Sequence, residues 1–422
     1  MNVNLAYGKK GLVVGLKDEW NVHVVEPKYV PALPDAAQAI REALNAPIQS
    51  LPLKERAKNA RRIGVIFNDI TRPTPNDLIL KVVLGELADT PKENITLFNA
   101  LGTHRPNTET ELRTMLGADI FDACKIVQND CADLSTHVYF GKTLRGHEIW
   151  INRQLSECDL IILTGFIEPH FFAGFSGGGK AVMPGMAALS TIMQNHSAAM
   201  IADPNATWGI TTGNPIWEEV QEIAKKMPEV FLLNVTLNRE KHITGVFAGD
   251  LVEAHVAGCA RVKTTAMAPV KDLFDIVIST NSGYPLDLNL YQSVKGMSAA
   301  GRIVRPGGAI LMAAECWDGI PEHGLYGQIL TQSKNPQEIL DKIMNSSETI
   351  RDQWQAQIQA QIQLKADVYL YSDYLSADQL RSVHIFPISS MEETLERLVN
   401  KYGAASRIAV LPEGPQTVPF LG

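Results

Sequence analysis

A recurring order of short apolar run, turn and helix-starting signal constrains the fold of this chain more than any other feature. Runs with the length of a buried strand occupy residues 62–68, 94–100, 159–164 and 230–237. Three helix starts follow such runs, with predicted caps at Thr74 before Pro75, at Thr108 with Glu111, and at Asp250 with Glu253. This rhythm predicts an α/β fold in which a mostly parallel sheet is flanked by helices.

The length of the chain predicts two such domains. One hydrophobic core rarely grows beyond about 250–300 residues, and this chain has 422. A second alternation of strands and helices follows residues 267–274, which we interpret as a linker. We therefore predict an N-terminal α/β domain over 1–265 and a C-terminal α/β domain over 266–422. Residues 1–26 are predicted to form a short strand pair.

Composition excludes several classes of protein. A net charge of −8 argues against non-specific nucleic-acid binding. The five cysteines form no CxxC pair, which disfavours a disulfide framework and a zinc ribbon. The N-terminus lacks the apolar core of a signal peptide, and no apolar stretch approaches the roughly 20 residues of a membrane span. We expect a cytoplasmic protein without membrane or nucleic-acid partners.

Polar residues follow the predicted strands. Asp69 and His104 each come just after a strand, and His170 follows a third, so a shared pocket is expected at one sheet edge. Inverting a carbon centre requires access to both faces of a planar intermediate, and the paired bases His104 and His170 suit that reaction. Arg72 suits a carboxylate clamp, although a surface salt bridge with Asp69 explains it equally well.

The glycine-rich segment 174–185 nearly matches a phosphate-binding loop. Ala181 stands where that loop needs Ser or Thr for magnesium, which disfavours an ATPase. Gly177 and Gly178 allow close approach of the backbone to a ligand. Lys180 is either a solvated surface lysine or, enclosed by nearby aromatic residues such as Phe172, an amine with a lowered pKa that acts as a covalent anchor.

His196 lies in a helix that Ser190 is predicted to cap. It is either a core histidine or a single metal ligand, because no second histidine stands at metal-binding spacing. In the C-terminal domain Gln292 and Lys295 share a helix face next to Tyr291 and could close a cleft. The remaining histidines are interpreted as structural: His23, His137, His147, His242, His255, His323 and His384.

Taken together, these motifs resemble the nickel-pincer lactate racemase family of 2-hydroxyacid racemases and epimerases. The resemblance runs through most of the chain, at compatible spacing. It is carried by Asp69-x-Thr71-Arg72-Pro73, Gly102-x-His104-Arg105-Pro106, the run from His170 to Lys180, Pro184-Gly185, Thr191-Ile192-Met193-x-Asn195-His196, the turn Phe247-Ala248-Gly249-Asp250, and Tyr291-Gln292-x-Val294-Lys295-Gly296-Met297.

The resemblance implies a cofactor and an interdomain active site. The cofactor is a nickel-pincer nucleotide, Ni(II) pyridinium-3,5-bisthiocarboxylic acid mononucleotide, built and loaded by accessory enzymes. Lys180 would form its covalent tether and His196 the sole protein ligand to nickel. The glycine-rich loop, with Ser176, Gly177 and Gly178, would bind the cofactor.

The resemblance also implies a reaction. A hydride leaves the 2-carbon of a short 2-hydroxy acid, a 2-keto acid forms, and the hydride returns to the other face. His104 and His170 match the two bases. Substrate-binding residues would be Arg72, Lys295, Gln292, Tyr291 and Asp69, with Asp69 orienting Arg72 or a neighbouring base.

This chain departs from the lactate racemases at Gly179, Ala181 and Ile70, where Arg, Ser and His are familiar. A larger sugar acid is therefore an alternative substrate to lactate. Two other functions compete with the racemase: a non-catalytic protein that binds anions or nucleotides, and a hydrolase with His104, His170 and His196 as metal ligands. The substrate, the enantiomer that each histidine serves, cofactor loading and the oligomeric state stay open.

Overall fold

The computed structural model describes residues 1–322 and 324–422, so His323 lies outside the described residues. The chain divides into two compact units. The N-terminal unit comprises residues 29–196 and 202–264, and the C-terminal unit comprises 265–422 together with 1–28 and 197–201.

The first residues of the chain form three short strands: β1 Asn2–Leu5, β2 Leu12–Gly15 and β3 Asn21–Val24. β1 and β2 form the short strand pair that the sequence predicts, and the pair is antiparallel. β3 pairs in parallel with the strand Arg407–Leu411. This pairing joins the N-terminal segment to the C-terminal unit, so the observed division differs from the predicted domains 1–265 and 266–422.

The N-terminal unit is built on one six-stranded sheet with two accessory hairpins. Its strands are β4 Ile63–Asn68, β5 Ile95–Ala100, β6 Lys125–Gln128, β7 His137–Lys142, β8 Glu148–Asn152, β9 Leu160–Phe166, β10 Pro169–His170, β11 Gly174–Phe175, β12 Glu229–Leu237 and β13 Ile243–Gly249. The order in the main sheet is β13-β12-β9-β4-β5-β6, and only the edge strand β13 runs antiparallel to its neighbour. β7 pairs with β8 and β10 with β11.

The helices of this part of the chain are α1 Ala36–Asn45, α2 Leu53–Ala57, α3 Asn76–Glu86, α4 Glu109–Leu116, α5 Ala118–Ala123, α6 Arg153–Ser156, α7 Leu189–Asn195, α8 Ala198–Ala202, α9 Pro215–Lys225 and α10 Glu253–Ala266. Single 3-10 turns occupy Lys92–Asn94, Leu134–Thr136 and Gly178–Ala181. At the start of α4, Thr108 and Glu111 form the predicted capping box.

Two predicted caps are wrong. Pro75 precedes α3, because the Thr74 hydroxyl donates instead to Asn68 Oδ1 at 2.8 Å. Ala188 precedes α7, so Ser190 lies inside the helix. The backbone N–H of Ala188 donates to Trp150 O at 2.9 Å, so a contact with β8 sets where α7 begins.

The C-terminal unit contains a second six-stranded sheet. Besides β1 to β3, the strands of this unit are β14 Met267–Val270, β15 Phe274–Thr280, β16 Val304–Ala313, β17 Ala366–Tyr371, β18 Phe386–Pro387, β19 Arg407–Leu411 and β20 Val418–Leu421. β14 and β20 form a separate two-stranded sheet. The sheet order β18-β17-β16-β15-β19-β3 is parallel throughout. The predicted linker 267–274 is wrong in part, because β14 pairs with β20.

The helices of the C-terminal unit are α11 Leu290–Gly301, α12 Tyr326–Thr331, α13 Pro336–Met344, α14 Gln353–Lys365, α15 Ala377–Ser382 and α16 Met391–Tyr402, and Gly414–Gln416 is a 3-10 turn. Each unit has its own apolar core between sheet and helices. Fully burying one aliphatic or aromatic side chain contributes about 1.5–3 kcal/mol. The predicted α/β class, with parallel-dominated sheets flanked by helices, is confirmed.

Candidate active site

The candidate residues of the N-terminal unit follow three neighbouring strands. β4 lies between β9 and β5, and the three strands run parallel. Asp69 follows the end of β4, His104 lies in the loop after β5, and His170 lies shortly beyond β9. Because the carboxyl ends of parallel strands meet at one sheet edge, the topology brings these residues to the same edge.

Asp69 and His104 form a hydrogen-bonded pair. His104 Nδ1 lies 2.7 Å from Asp69 Oδ2, and the ring nitrogen donates because an ionised carboxylate only accepts. Burial acts to raise the pKa of Asp69, but His104, Arg72 and Thr71 outweigh it and hold that pKa below its usual value. Asp69 therefore orients the His104 ring, which leaves Nε2 as the proton acceptor of the neutral form.

Arg72 lies beside this pair. Its Nη1 donates to Thr71 Oγ1 at 3.1 Å, and Thr71 Oγ1 in turn donates to Asp69 Oδ1 at 2.8 Å. The ion pair at Asp69 is with His104. Arg72 lowers the pKa of Asp69 and also the pKa of Lys180, so its positive charge acts on both groups.

The glycine-rich loop is held in place from two sides. The N–H of Gly178 donates to Asn234 Oδ1 on β12 at 2.7 Å, and His255 Nε2 on α10 donates to Ser176 O at 2.9 Å. Gly177 and Gly178 have φ of 76° and 58°, a region that suits glycine. A Cβ on Gly178 would lie 2.8 Å from the His255 ring. The Ser176 hydroxyl donates to Phe166 O at 3.0 Å, so these contacts shape the loop.

Lys180 lies in the 3-10 turn that ends this loop. Its Nζ is 5.6 Å from the centroid of the Phe172 ring. Burial, with a smaller contribution from the charge of Arg72, lowers the pKa of Lys180 to about 7. The side chain of Lys180 is half-buried in the structure, and the sequence offered either a solvated lysine or an enclosed amine at this position.

His196 follows the last residue of α7 and is buried. Its ring packs edge-on against Phe172, with centroids 5.0 Å apart. Burial, followed by the charge of Lys180, lowers the pKa of His196 to about 3. The imidazole is therefore neutral at physiological pH, which is the form that binds a metal ion.

His170 packs against the same aromatic ring, with its centroid 4.6 Å from that of Phe172. Its Nδ1 accepts the backbone N–H of Ala173 at 3.2 Å. A neutral His170 therefore carries its proton on Nε2, the opposite arrangement to His104. Phe172 thus contacts His170, His196 and Lys180, and we call these four residues the Phe172 pocket.

The C-terminal residues named by the sequence also lie together within their unit. Lys295 Nζ donates to Gln292 Oε1 at 2.6 Å, one turn apart on α11. The hydroxyl of Tyr291 accepts from Trp354 Nε1 at 2.9 Å. Gln292 is buried and Lys295 is half-buried.

Sequence reasoning missed three residues that support these groups. Trp354 lies in a helix without a recognisable motif, and Asn234 lies within an apolar strand. His255 was interpreted as structural, and its hydrogen bond to Ser176 O holds the glycine-rich loop. Their roles depend on hydrogen bonds across 56, 63 and 79 residues, which local patterns do not encode.

The donor set suits a metal whose other ligands come from a cofactor. Among the described residues there is no group of three His, Cys, Asp or Glu that could hold a metal ion. This contradicts a hydrolase with His104, His170 and His196 as a ligand cluster. One buried imidazole at His196 and the amine of Lys180, both next to the Phe172 ring, fit the nickel-pincer nucleotide.

The sequence matches two family models. Residues 7–209 match the lactate racemase N-terminal domain, and residues 270–418 match the lactate racemase C-terminal domain. The lactate racemase of Lactiplantibacillus plantarum is 40% identical over 380 residues, which are 89% of each chain. That of Thermoanaerobacterium thermosaccharolyticum is 35% identical over 422 residues, which are 99% of each chain.

Solved structures agree. The lactate racemase apoprotein from T. thermosaccharolyticum superposes with a TM-score of 0.93 at 34% identity, covering 99% of this chain and 100% of that one. A Thermotoga maritima protein, with a TM-score of 0.72 at 18% identity over 93% of this chain and all of its own, shares the fold. The fold and the relatives define the chain as an isomerase. It belongs to the lactate racemase family. Within the described residues no helix is both long and apolar enough to cross a bilayer.

Proposed function

We propose that the protein racemises a short 2-hydroxy acid, lactate or a close analogue, with a nickel-pincer nucleotide attached to Lys180. The observation that carries the proposal is the Phe172 pocket, where an amine with a pKa of about 7 lies near a buried neutral imidazole. The lactate racemases at 35–40% identity supply the substrate class. When bound, the cofactor supplies a centre that accepts and returns a hydride.

Lys180 and His196 would hold this cofactor. At neutral pH a substantial fraction of Lys180 is the free amine, the form that would condense with a thio-acid arm to a thioamide with loss of water. His196 offers the lone pair of a neutral ring to nickel. Ser176, Gly177 and Gly178 shape the loop that presents Lys180, and the enzymes that build and load the cofactor would be the partners of this protein.

The chain's own acid–base groups would handle the hydroxyl proton. His104 Nε2 accepts this proton as the hydride leaves the 2-carbon, and ionised Asp69 stabilises the resulting imidazolium. His170 would serve the opposite face of the planar 2-keto acid. In its protonated form it would return a proton from Nε2 to the keto oxygen, and proton exchange with solvent would then restore both rings. Proton and hydride together leave the 2-hydroxy acid and together return to it, so the reaction is redox-neutral.

Carboxylate binding is proposed for Arg72, whose guanidinium offers the fork that matches a carboxylate. Lys295, Gln292 and Tyr291 are proposed to contribute to it as the family resemblance implies. A larger sugar acid is the alternative substrate, and the departures at Gly179 and Ala181 are the reason to test it. Gly179 packs against α9, where an added Cβ would lie 3.0 Å from that of Ala224.

The test is intact mass and nickel analysis of protein produced in a host that makes the cofactor. We expect a covalent adduct on the peptide carrying Lys180 and close to one nickel per chain. A panel of enantiopure 2-hydroxy and sugar acids, followed by chiral separation, then identifies the substrate. Holoprotein with zinc instead of nickel and without an adduct would refute the proposal.

A further inference from the structure

Glu219 is a buried carboxylate on α9 that the proposed reaction does not use. Its side chain is 1% exposed. A carboxylate in such a place is costly unless hydrogen bonds satisfy it. Three donors do so: Thr143 Oγ1 at 2.7 Å, His147 Nδ1 at 2.9 Å and Asn195 Nδ2 at 2.8 Å. Within the described residues no lysine or arginine forms an ion pair with it.

The three donors come from two separate segments. Thr143 and His147 flank the turn of the β7–β8 hairpin, and Asn195 is the last residue of α7. Asn195 is 1% exposed, and the next residue is His196. Glu219 therefore joins the hairpin turn, α9 and the end of α7 that carries the proposed nickel ligand.

α7 needs such an anchor because it is short. It has seven residues, and helices of this length are marginal without tertiary contacts. Thr191 Oγ1 donates to Glu148 O at 2.9 Å, and Gln194 Oε1 accepts from Glu148 N at 2.9 Å. These contacts tie one side of α7 to β8. The bond from Asn195 to Glu219 ties its final turn to α9.

We infer that Glu219 is a positioning residue, which acts through Asn195 to fix the end of α7 and with it the imidazole of His196. The inference rests on the proposed role of His196. Substitution of a residue that supports a metal ligand from outside the coordination sphere typically changes the metal affinity by about 10–100-fold, because such residues set the orientation of the ligand. Phe172 restrains the ring of His196, and Glu219 restrains the backbone that carries it.

The substitution Glu219→Gln removes the charge and one acceptor oxygen but keeps the size of the side chain. The two carboxylate oxygens accept from three donors, whereas an amide has one oxygen and a donating NH2 group. That NH2 group would face Asn195 Nδ2 or the donors of the hairpin turn. Glu218→Gln is the matched control, because Glu218 lies on the same helix but is exposed.

The experiment compares holoprotein of the parent, E219Q, E218Q and N195A. Nickel release to a chelator and the visible absorption band are measured, and intact mass reports the Lys180 adduct. We expect E219Q and N195A to keep the adduct, to lose nickel about tenfold faster and to show a shifted band. E218Q should match the parent. N195A removes the hydrogen bond between Glu219 and α7 but leaves the other hydrogen bonds of Glu219 in place. It therefore tests the same link if E219Q folds poorly.

Three outcomes would overturn the inference, and the first is distinguishable from the other two. A parent protein without adduct and nickel would refute the proposed function and this inference with it. A parent with both, together with E219Q and N195A that release nickel at the parent rate with an unshifted band, would refute the inference alone. Equal loss in E218Q would also overturn it, because the effect would not depend on the buried carboxylate.

Discussion

The two proposed bases lie in contrasting surroundings. His104 is hydrogen-bonded to an ionised carboxylate, and its side chain is 25% exposed. His170 is buried among aromatic rings and accepts a backbone N–H. The two rings therefore differ in hydrogen-bond partner, in exposure and in the nitrogen that carries the proton when the ring is neutral. The enzyme therefore need not be symmetric, although the reaction it is proposed to catalyse interconverts mirror images.

The largest effect is expected at the Phe172 pocket. Lys180→Ala should reduce activity to background and abolish the covalent adduct, because the variant lacks the amine that we propose anchors the cofactor. Lys180→Arg is the control, since it keeps a positive charge without a nucleophilic amine. Activity comparable to the parent in either variant, with mass spectra that show no adduct, would refute the tether.

The next largest effect is expected at the hydrogen-bonded pair of Asp69 and His104. Asp69→Asn should lower kcat about 100-fold, because the amide cannot stabilise the imidazolium of His104 as the carboxylate does. Nitrogen-15 NMR of the apoprotein should show neutral His104 protonated at Nδ1 and neutral His170 at Nε2. The same tautomer in both rings would refute the contrast between the two bases.

The positive charge of Arg72 acts on both Asp69 and Lys180. Its substitution should have an intermediate effect on activity. Arg72→Lys should raise KM for the 2-hydroxy acid about tenfold with a smaller change in kcat, because a point charge replaces a bidentate fork. Steady-state kinetics in both directions measure this. An unchanged KM would exclude Arg72 from the carboxylate clamp.

The smallest effect concerns the pKa of Lys180. Trace acetylation of the apoprotein, mapped by mass spectrometry, should label Lys180 with a midpoint near pH 7, because its pKa is lowered to about 7 and only the free amine reacts. Labelling should rise with pH through this midpoint and level off above it. Arg72→Met should move the midpoint upward, since removing the neighbouring positive charge makes protonation easier, whereas Arg72→Lys should leave it nearly unchanged. A midpoint near 10 in the parent would refute the enclosed amine.

Much of the fold follows from local pattern. The capping box of Thr108 and Glu111 is complete within four residues, and it appears as predicted. The apolar runs that became β4, β5 and β9 are mostly buried strands, and their length and composition suffice to predict them. The two helix caps that were predicted from a single hydroxyl, at Thr74 and Ser190, were wrong. Thr74 and Ser190 carry the right side chains for a helix cap, but contacts with distant residues set where α3 and α7 begin.

Long-range pairing explains what local pattern could not predict. β3 pairs with β19 near the other end of the chain, and β14 pairs with β20. The partner of such a strand is fixed by hydrogen bonds that only the folded sheet supplies, so the pairing of β3 and of β14 could not be predicted from local sequence, although the strand pair β1–β2 could.

The sequence by itself determined the α/β class, the strand ends that carry Asp69, His104 and His170, and the presence of Lys180 in a glycine-rich loop. These follow from periodicity and from the shared direction of parallel strands. Only the tertiary structure decided that Asp69 binds His104, that Phe172 contacts His170, His196 and Lys180, and that Glu219 joins α9 to the end of α7. The physical reason is that these contacts join residues far apart in sequence. Burial and such contacts set the pKa values of Asp69, Lys180 and His196 and the orientations of the side chains, and a local segment determines neither the pKa values nor the orientations.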